Sequence, residues 1–117
     1  MLIYGLQQDY NAVMACIDGL PELQYRRIDC THTESYDEFL HHLGAGQHEI
    51  VLVLTDGAEG MEGIIAAQTL RPEAKKIWIS NDAGFAIQAH RMECAYFATK
   101  PITEEIIAKG YRACRCP

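Results

Sequence analysis

Few residues of this 117-residue chain combine a reactive type with a place that could use it. Asp9 and Asp56 are carboxylates just beyond apolar runs, Thr55 and Ser80 carry hydroxyls in similar places, and Lys100 carries an amine ahead of Pro101. Carboxylates can hold a cation, and an ammonium can neutralise an anion. Gln7 and Gln8, beside Asp9, offer a metal amide oxygens but none of the negative charge that holds magnesium against its hydration shell.

Other chemistries lack their residues. The five cysteines (Cys16, Cys30, Cys94, Cys114 and Cys116) form no CxxC pair, and His32, His41, His42, His48 and His90 show no ligand spacing, so no zinc site is expected. Free thiols in a reducing cytoplasm fit the set, with Cys114-Arg115-Cys116 as a frayed tail. Gln7-Gln8-Asp9-Tyr10 is neither a P-loop nor a dinucleotide fingerprint, and no Ser/Cys–His arrangement is evident. A small enzyme or ligand-binding protein is therefore the weaker alternative. The expectation is a chain that is not an enzyme.

Composition narrows the partners. Apolar residues make up 49% and charged residues 22%, as in an ordinary globular domain, and the length suits one hydrophobic core, residues 1–117. A net charge of -6 with ten scattered basic residues argues against direct nucleic-acid contact, which needs clustered Lys and Arg. No run approaches the ~18 apolar residues of a membrane helix. Met1-Leu2-Ile3-Tyr4-Gly5-Leu6 has no basic segment or cleavage-type residues and reads as a first strand, so a cytoplasmic location is expected.

The positioning elements follow from periodicity. After Leu2–Leu6, the segment Gln8–Asp18 places Tyr10, Val13, Met14 and Ile17 on one helical face, stopped by Gly19 and Pro21. Leu23–Ile28 reads as a more polar edge strand. Ser35 and Glu38 form a capping box for a helix with Tyr36, Phe39, Leu40 and Leu43 inward, and Gly44 suits a left-handed end. Ile50–Leu54 is apolar at every position, which requires cover on both faces and marks the centre of a parallel sheet. A helix from about Gly60 to Leu70, a strand over Lys76–Ser80, a helix over Gly84–Met92 and a short strand at Tyr96–Ala98 come next. A last helix is capped by Thr103 and stapled by Ile102 and Ile107. Five β–α units give an α/β fold: a flavodoxin-like, doubly wound, five-stranded parallel sheet of order 2-1-3-4-5, with five helices in three layers. Ligands of such sheets bind beyond the C-terminal strand ends. Gln7, Gln8, Asp9, Thr55, Asp56, Ser80 and Lys100 all fall there.

Several of these positions carry a family likeness. Ile79-Ser80, Phe85-Ala86-Ile87-Gln88-Ala89, Tyr96-Phe97-Ala98-Thr99-Lys100-Pro101-Ile102 and Gly60-Met61-Glu62-Gly63 resemble the CheY-like receiver domain of two-component response regulators, most closely receivers of LytTR-type regulators. The resemblance implies an acidic pair after the first strand to hold magnesium, a phosphoaccepting Asp after the third, a Ser or Thr after the fourth and a Lys-Pro after the fifth. It also implies Phe97 as the aromatic that changes rotamer, and a docking or dimer surface on the fourth helix, fifth strand and fifth helix. Sensor kinases and output domains would be the partners.

The departures are equally specific. Gln7-Gln8 stands where the family has its acidic pair, leaving Asp9 as the sole acid there. Counting back from Gly63 without gaps puts Thr55 in the phosphoacceptor slot, and Asp56 reaches it only if the turn is one residue shorter. One position decides the matter, because successive strand residues point to opposite faces. The expectation is a pseudo-receiver with a vestigial pocket of Gln7, Gln8, Asp9, Ser80 and Lys100. It would act through protein contacts and regulate transcription through an associated output domain. No cofactor is expected, and Mg²⁺ enters only if Asp9 and Asp56 form a site. The alternative is a working phosphoacceptor at Asp56. Plainer roles stay open: Asp9 as an N-cap, Ser80 satisfying backbone groups, Lys100 as a solvated turn residue and Phe97 as packing.

Overall fold

The computed structural model describes residues 1–24 and 29–115. Its strands are β1 (Leu2–Tyr4), β2 (Thr31–Thr33), β3 (Ile50–Val53), β4 (Lys75–Ser80) and β5 (Tyr96–Thr99). All pair in parallel in the order β2-β1-β3-β4-β5, as expected. The principal helices are α1 (Gln7–Asp18), α3 (Tyr36–Ala45), α4 (Gly57–Leu70), α5 (Ala86–Arg91) and α6 (Glu104–Arg115), with a four-residue turn α2 (Pro21–Gln24) after α1.

The period-2 alternation of the strands builds two cores. Val51 and Val53 of β3 join Leu2, Tyr4 and Trp78 against Phe39, Leu43, Ile64 and Ala67 of α3 and α4. Leu52 and Leu54 join Ile3, Ile77 and Ile79 against Val13 and Ile17 of α1 and Ile107 of α6. Val51, Leu52, Val53 and Leu54 are each at most 1% exposed. At roughly 1.5–3 kcal/mol per buried aliphatic side chain, covering both faces adds to the strand preference of this largely β-branched run and fixes β3 at the centre.

The helical stripes fall as the periodicity requires. Tyr10, Val13, Met14 and Ile17 face the second core, and Tyr36, Phe39, Leu40 and Leu43 the first, as do Phe85, Ala89 and Met92. Thr103 Oγ1 accepts from Ile106 N at 3.2 Å, and Ile102 and Ile107 share the second core.

Several boundaries differ from expectation. The strand beside β1 is Thr31–Thr33, not Leu23–Ile28: Leu23 is 2% exposed in the α2 turn and packs into the second core, and residues 25–28 lie outside the described residues. A three-residue edge strand has one neighbour and no apolar alternation to reveal it. β1 ends at Tyr4 rather than Leu6. Gly44 lies inside α3, which runs on to Ala45 and ends at Gly46, whose N–H bonds His42 O. The capping box is half formed. Ser35 Oγ accepts from Glu38 N, but Glu38 Oε2 accepts from the Thr33 hydroxyl at 2.8 Å, and Ser35 N donates to Thr33 Oγ1 instead. Helix α4 begins at Gly57, three residues early, because Gly57 takes a left-handed φ of 61° that turns the chain straight from Asp56 into the helix. A 3₁₀ turn, Ala83–Phe85, replaces the start of the fourth principal helix.

Two glycines give opposite expectations. A Cβ on Gly60 would lie 2.4 Å from Thr55 O and 2.9 Å from Trp78 Nε1, whereas one on Gly44 meets nothing within 4 Å. Gly60→Ala should lower unfolding stability by about 1–3 kcal/mol, and Gly44→Ala should raise it by about 0.5–1 kcal/mol, both read by urea titration of Trp78 fluorescence.

Candidate functional site

The parallel register brings the C-terminal strand ends to one edge. Tyr4 pairs with Thr33 and Val53, and Ser80 with Thr99. Just beyond that edge, Lys100 Nζ lies 2.9 Å from Asp9 Oδ2 and 2.9 Å from Asp56 Oδ1. Asp9 comes from the first turn of α1, Asp56 is the N-cap residue of α4, and Lys100 follows β5, whose hold on β4 is extended by Lys100 N donating to Ser80 O at 2.9 Å. The peptide between Lys100 and Pro101 is cis.

Asp56, and not Thr55, thus brings its side chain to Lys100. Its carboxylate, 42% exposed, also accepts from Asn81 N at 3.1 Å. Thr55 is 8% exposed, and its Oγ1 has no hydrogen-bond partner among the described residues. The strand supplies the reason. Val53 faces the first core and Leu54 the second, and the chain leaves the sheet before another residue can follow the alternation.

The other expected residues divide. Ser80 is fully buried and its Oγ accepts from Asp82 N at 3.2 Å, while Asp82 Oδ1 caps Gly84 N, so the hydroxyl serves the turn after β4. Phe97 packs edge-on against Trp78, ring centroids 5.5 Å apart. Gln7 and Gln8 are exposed on α1, and the Gln7 amide donates to Asn11 Oδ1 at 2.9 Å. Gly5 and Leu6, not the glutamines, directly follow β1.

Asp9 does not cap α1. The N-cap residue is Leu6, with no side-chain cap of its own, and Glu34, from beyond β2, accepts from Gln7 N. The β1–α1 turn is further tied to β2 by Gly5 N donating to Thr33 O at 3.1 Å and His32 Nε2 donating to Gly5 O at 2.8 Å, with the His32 ring stacked 4.2 Å from Tyr10. Glu34 and Asn81 escape sequence reasoning differently. Asn81 sits next to a residue already singled out, but Glu34 acts 27 positions away from its partner, with no local signal.

A cleft of about 270 Å³ opens between these elements, lined by Leu6, Asp9, Glu34, Leu54, Thr55, Asp56 and Glu59. Magnesium, implied by the fold's resemblance, does not fit this donor set. Gly5 and Leu6 offer no side-chain oxygen after β1, the carboxylates of Asp9 and Asp56 are bound to Lys100, and no group of three or more His, Cys, Asp or Glu among the described residues could hold a metal. Burial draws the Lys100 ammonium down, but the hydrogen bonds it donates to Asp56 and Asp9, with their charges, more than offset it and leave its pKa raised.

No protein-family model and no curated protein matches the sequence. Solved structures do. A CpaE2 pilus assembly protein of Sinorhizobium meliloti superposes with a TM-score of 0.74 at 14% identity, covering 96% of this chain and 97% of that one. A CheY-like receiver domain of Methanospirillum hungatei gives 0.68 at 19% identity, covering 95% and 88%. A Burkholderia pseudomallei response regulator, solved with a phosphorylated aspartic acid, a calcium ion and citrate, gives 0.66 at 22% identity, covering 93% of this chain and 64% of its own. The chain therefore has the flavodoxin-like fold shared by CheY-like receiver domains of two-component response regulators and by a pilus assembly protein. No helix among its described residues is long and apolar enough to cross a membrane.

Lys100→Met removes the ammonium shared by two carboxylates and should cost about 1–2 kcal/mol near neutral pH. A raised folded-state pKa means that this contribution is complete below the ordinary lysine value of 10.5 and lost as pH rises through the folded value. The stability difference between wild type and Lys100→Met, from urea titrations at stepped pH between neutral and alkaline, should therefore hold up to that value and shrink beyond it.

Proposed function

We propose that this chain is a receiver-type signalling module that works through protein contacts and not through phosphotransfer. The Lys100 ammonium held between Asp9 and Asp56 carries this reading. In receiver chemistry a carboxylate attacks a phosphoryl group while a metal ion and a lysine neutralise the charge that develops. Here the lysine neutralises the carboxylates themselves, and the turn after β1 contributes Gly5 and Leu6 in place of acidic groups. Four carboxylates line the cleft and no cationic side chain does, so an anionic phosphodonor meets a repulsive mouth. The module has no catalytic role of its own. Its signal passes over α5, β5 and α6, to a sensor kinase, a second copy or an output domain. The sequence resemblance favours an output of the LytTR type that regulates transcription. The likeness to a pilus assembly protein favours an output carried by protein contacts.

One observation favours the second reading, a phosphoacceptor at Asp56: its carboxylate enters the pocket, partly exposed and beside Lys100. The Burkholderia regulator of the same fold carries a phosphorylated aspartic acid. Incubation with acetyl phosphate and magnesium, followed by intact mass measurement, separates the two. We expect an unchanged mass. A single phosphoryl adduct that disappears in Asp56→Ala overturns the protein-contact reading.

A further inference from the structure

Asp56 is followed by Gly57, and that pair of residues has a chemistry of its own that needs no ligand. The carboxyl carbon of an aspartate can be attacked by the backbone nitrogen of the next residue. Glycine allows this most readily, because no side chain shields its nitrogen. The nitrogen bonds to Cγ, a carboxyl oxygen leaves as water, and a five-membered succinimide forms. Water then opens the ring at either carbonyl. Opening at the former main-chain carbonyl gives isoaspartate, in which the chain runs through Cγ and a carboxylate is left on Cα. The water lost in the first step is regained in the second, so no other reactant enters.

The chain holds two such pairs, Asp18-Gly19 and Asp56-Gly57, and the structure separates them. Asp18 ends α1, and Gly19 N donates to Ala15 O and Cys16 O, both at 3.2 Å. A side chain on Gly19 would collide with the Glu104 carboxylate, so that turn is closely covered. Gly57 is the opposite case. Its nitrogen opens α4 and donates to nothing among the described residues, as the first N–H groups of a helix do when uncapped. Nothing lies within 4 Å of where a Cβ on Gly57 would stand, and its φ of 61° shows how freely this residue turns. The Asp56 side chain is 42% exposed, so water can leave it and return.

Alignment is what Asp56-Gly57 lacks. Ring closure requires the nitrogen to come nearly in line with Cβ about the Cα–C bond, within attacking distance of Cγ. With ψ of Asp56 at 157°, Gly57 N stands about a quarter turn away from that position. Two donors keep the side chain there. Lys100 Nζ at 2.9 Å and Asn81 N at 3.1 Å both hold Asp56 Oδ1, which ties it to the ends of β5 and β4. We infer that Asp56-Gly57 is a site of spontaneous isoaspartate formation that the Lys100 and Asn81 contacts hold shut. Conversion adds a methylene to the main chain at the turn into α4 and moves the carboxylate from Cβ to Cα, one bond short of its former reach. The modification thus removes the contact that restrains it and runs one way. It stands apart from both readings of the function, since neither a partner nor a phosphoryl group takes part.

The test incubates the whole chain warm at mildly acidic pH as wild type, Lys100→Met and Val13→Ala. Isoaspartate is located by peptide mapping with a protease that cuts before aspartate but not before isoaspartate. Val13 is fully buried in the second core, so Val13→Ala lowers stability while leaving the Lys100 contacts in place. Isoaspartate at position 56 should form about tenfold faster in Lys100→Met than in wild type, the factor expected for loss of one charge-assisted hydrogen bond. Val13→Ala should stay near the wild-type rate. Equal rates in wild type and Lys100→Met, or the same acceleration in Val13→Ala, overturn the restraint. Wild type alone decides the site even if Lys100→Met does not fold. The isoaspartate it accumulates should fall at position 56 and not at 18, and the reverse distribution, or none at either position, overturns the assignment.

Discussion

One ammonium group joins three parts of this molecule that are distant in sequence. Lys100 Nζ sits between a carboxylate from the first turn of α1 and another from the N-cap of α4, and the Lys100–Asp9 pair spans 91 residues. Each partner needs the other two. Without the lysine, Asp9 and Asp56 would face one another as like charges at the edge of a low-dielectric sheet. Without the carboxylates, an 18%-exposed lysine side chain would keep its charge at a desolvation cost with nothing to offset it. The arrangement is possible only because parallel strands end together, so that the residues after β1, β3 and β5 meet at one rim.

The rim is held from outside by the short edge strand. Three residues of β2 could not stabilise a sheet edge through backbone pairing alone. They extend their hold by Thr33 O on Gly5 N, by His32 on Gly5 O and by the adjoining Glu34 on Gln7 N. All three contacts fix the β1–α1 turn, the segment that decides what the cleft can bind. Glu34 does so with a charge at the positive end of α1, which suits the dipole as well as the orphan N–H. The same carboxylate then faces the cleft, and structural capping and site electrostatics come from one residue.

Hydroxyls are used in two contrasting ways around this rim. Ser80 and Thr33 are engaged by neighbouring turns, Ser80 with Asp82 N and Thr33 with Ser35 N and the Glu38 carboxylate. Thr55 is buried to a similar degree and bonded to nothing among the described residues. Trp78 Nε1, close to Gly60 and likewise unpartnered, marks the same corner beneath the start of α4. Buried polar groups without partners are costly, and two of the three among the described residues lie where the chain passes from β3 into α4, the third being Gln88 Oε1 on α5.

The sequence by itself determined the architecture. The unbroken apolar run Ile50–Leu54, the helical stripes of Tyr10/Val13/Ile17 and Phe39/Leu43, and the Thr103 cap are local patterns, and local periodicity survives into the fold because each element buries its own apolar face. It also marked Asp9, Asp56 and Lys100 as residues at strand ends. Tertiary structure alone decided how they combine. The left-handed turn at Gly57 chose Asp56 over Thr55, Thr31–Thr33 became the edge strand in place of a more apolar segment, and Glu34 reached across 27 residues to cap a helix it does not precede. Each of those outcomes depends on where one chain segment closes upon another, and closure is fixed by the summed packing of the whole sheet, which no window of neighbouring residues contains.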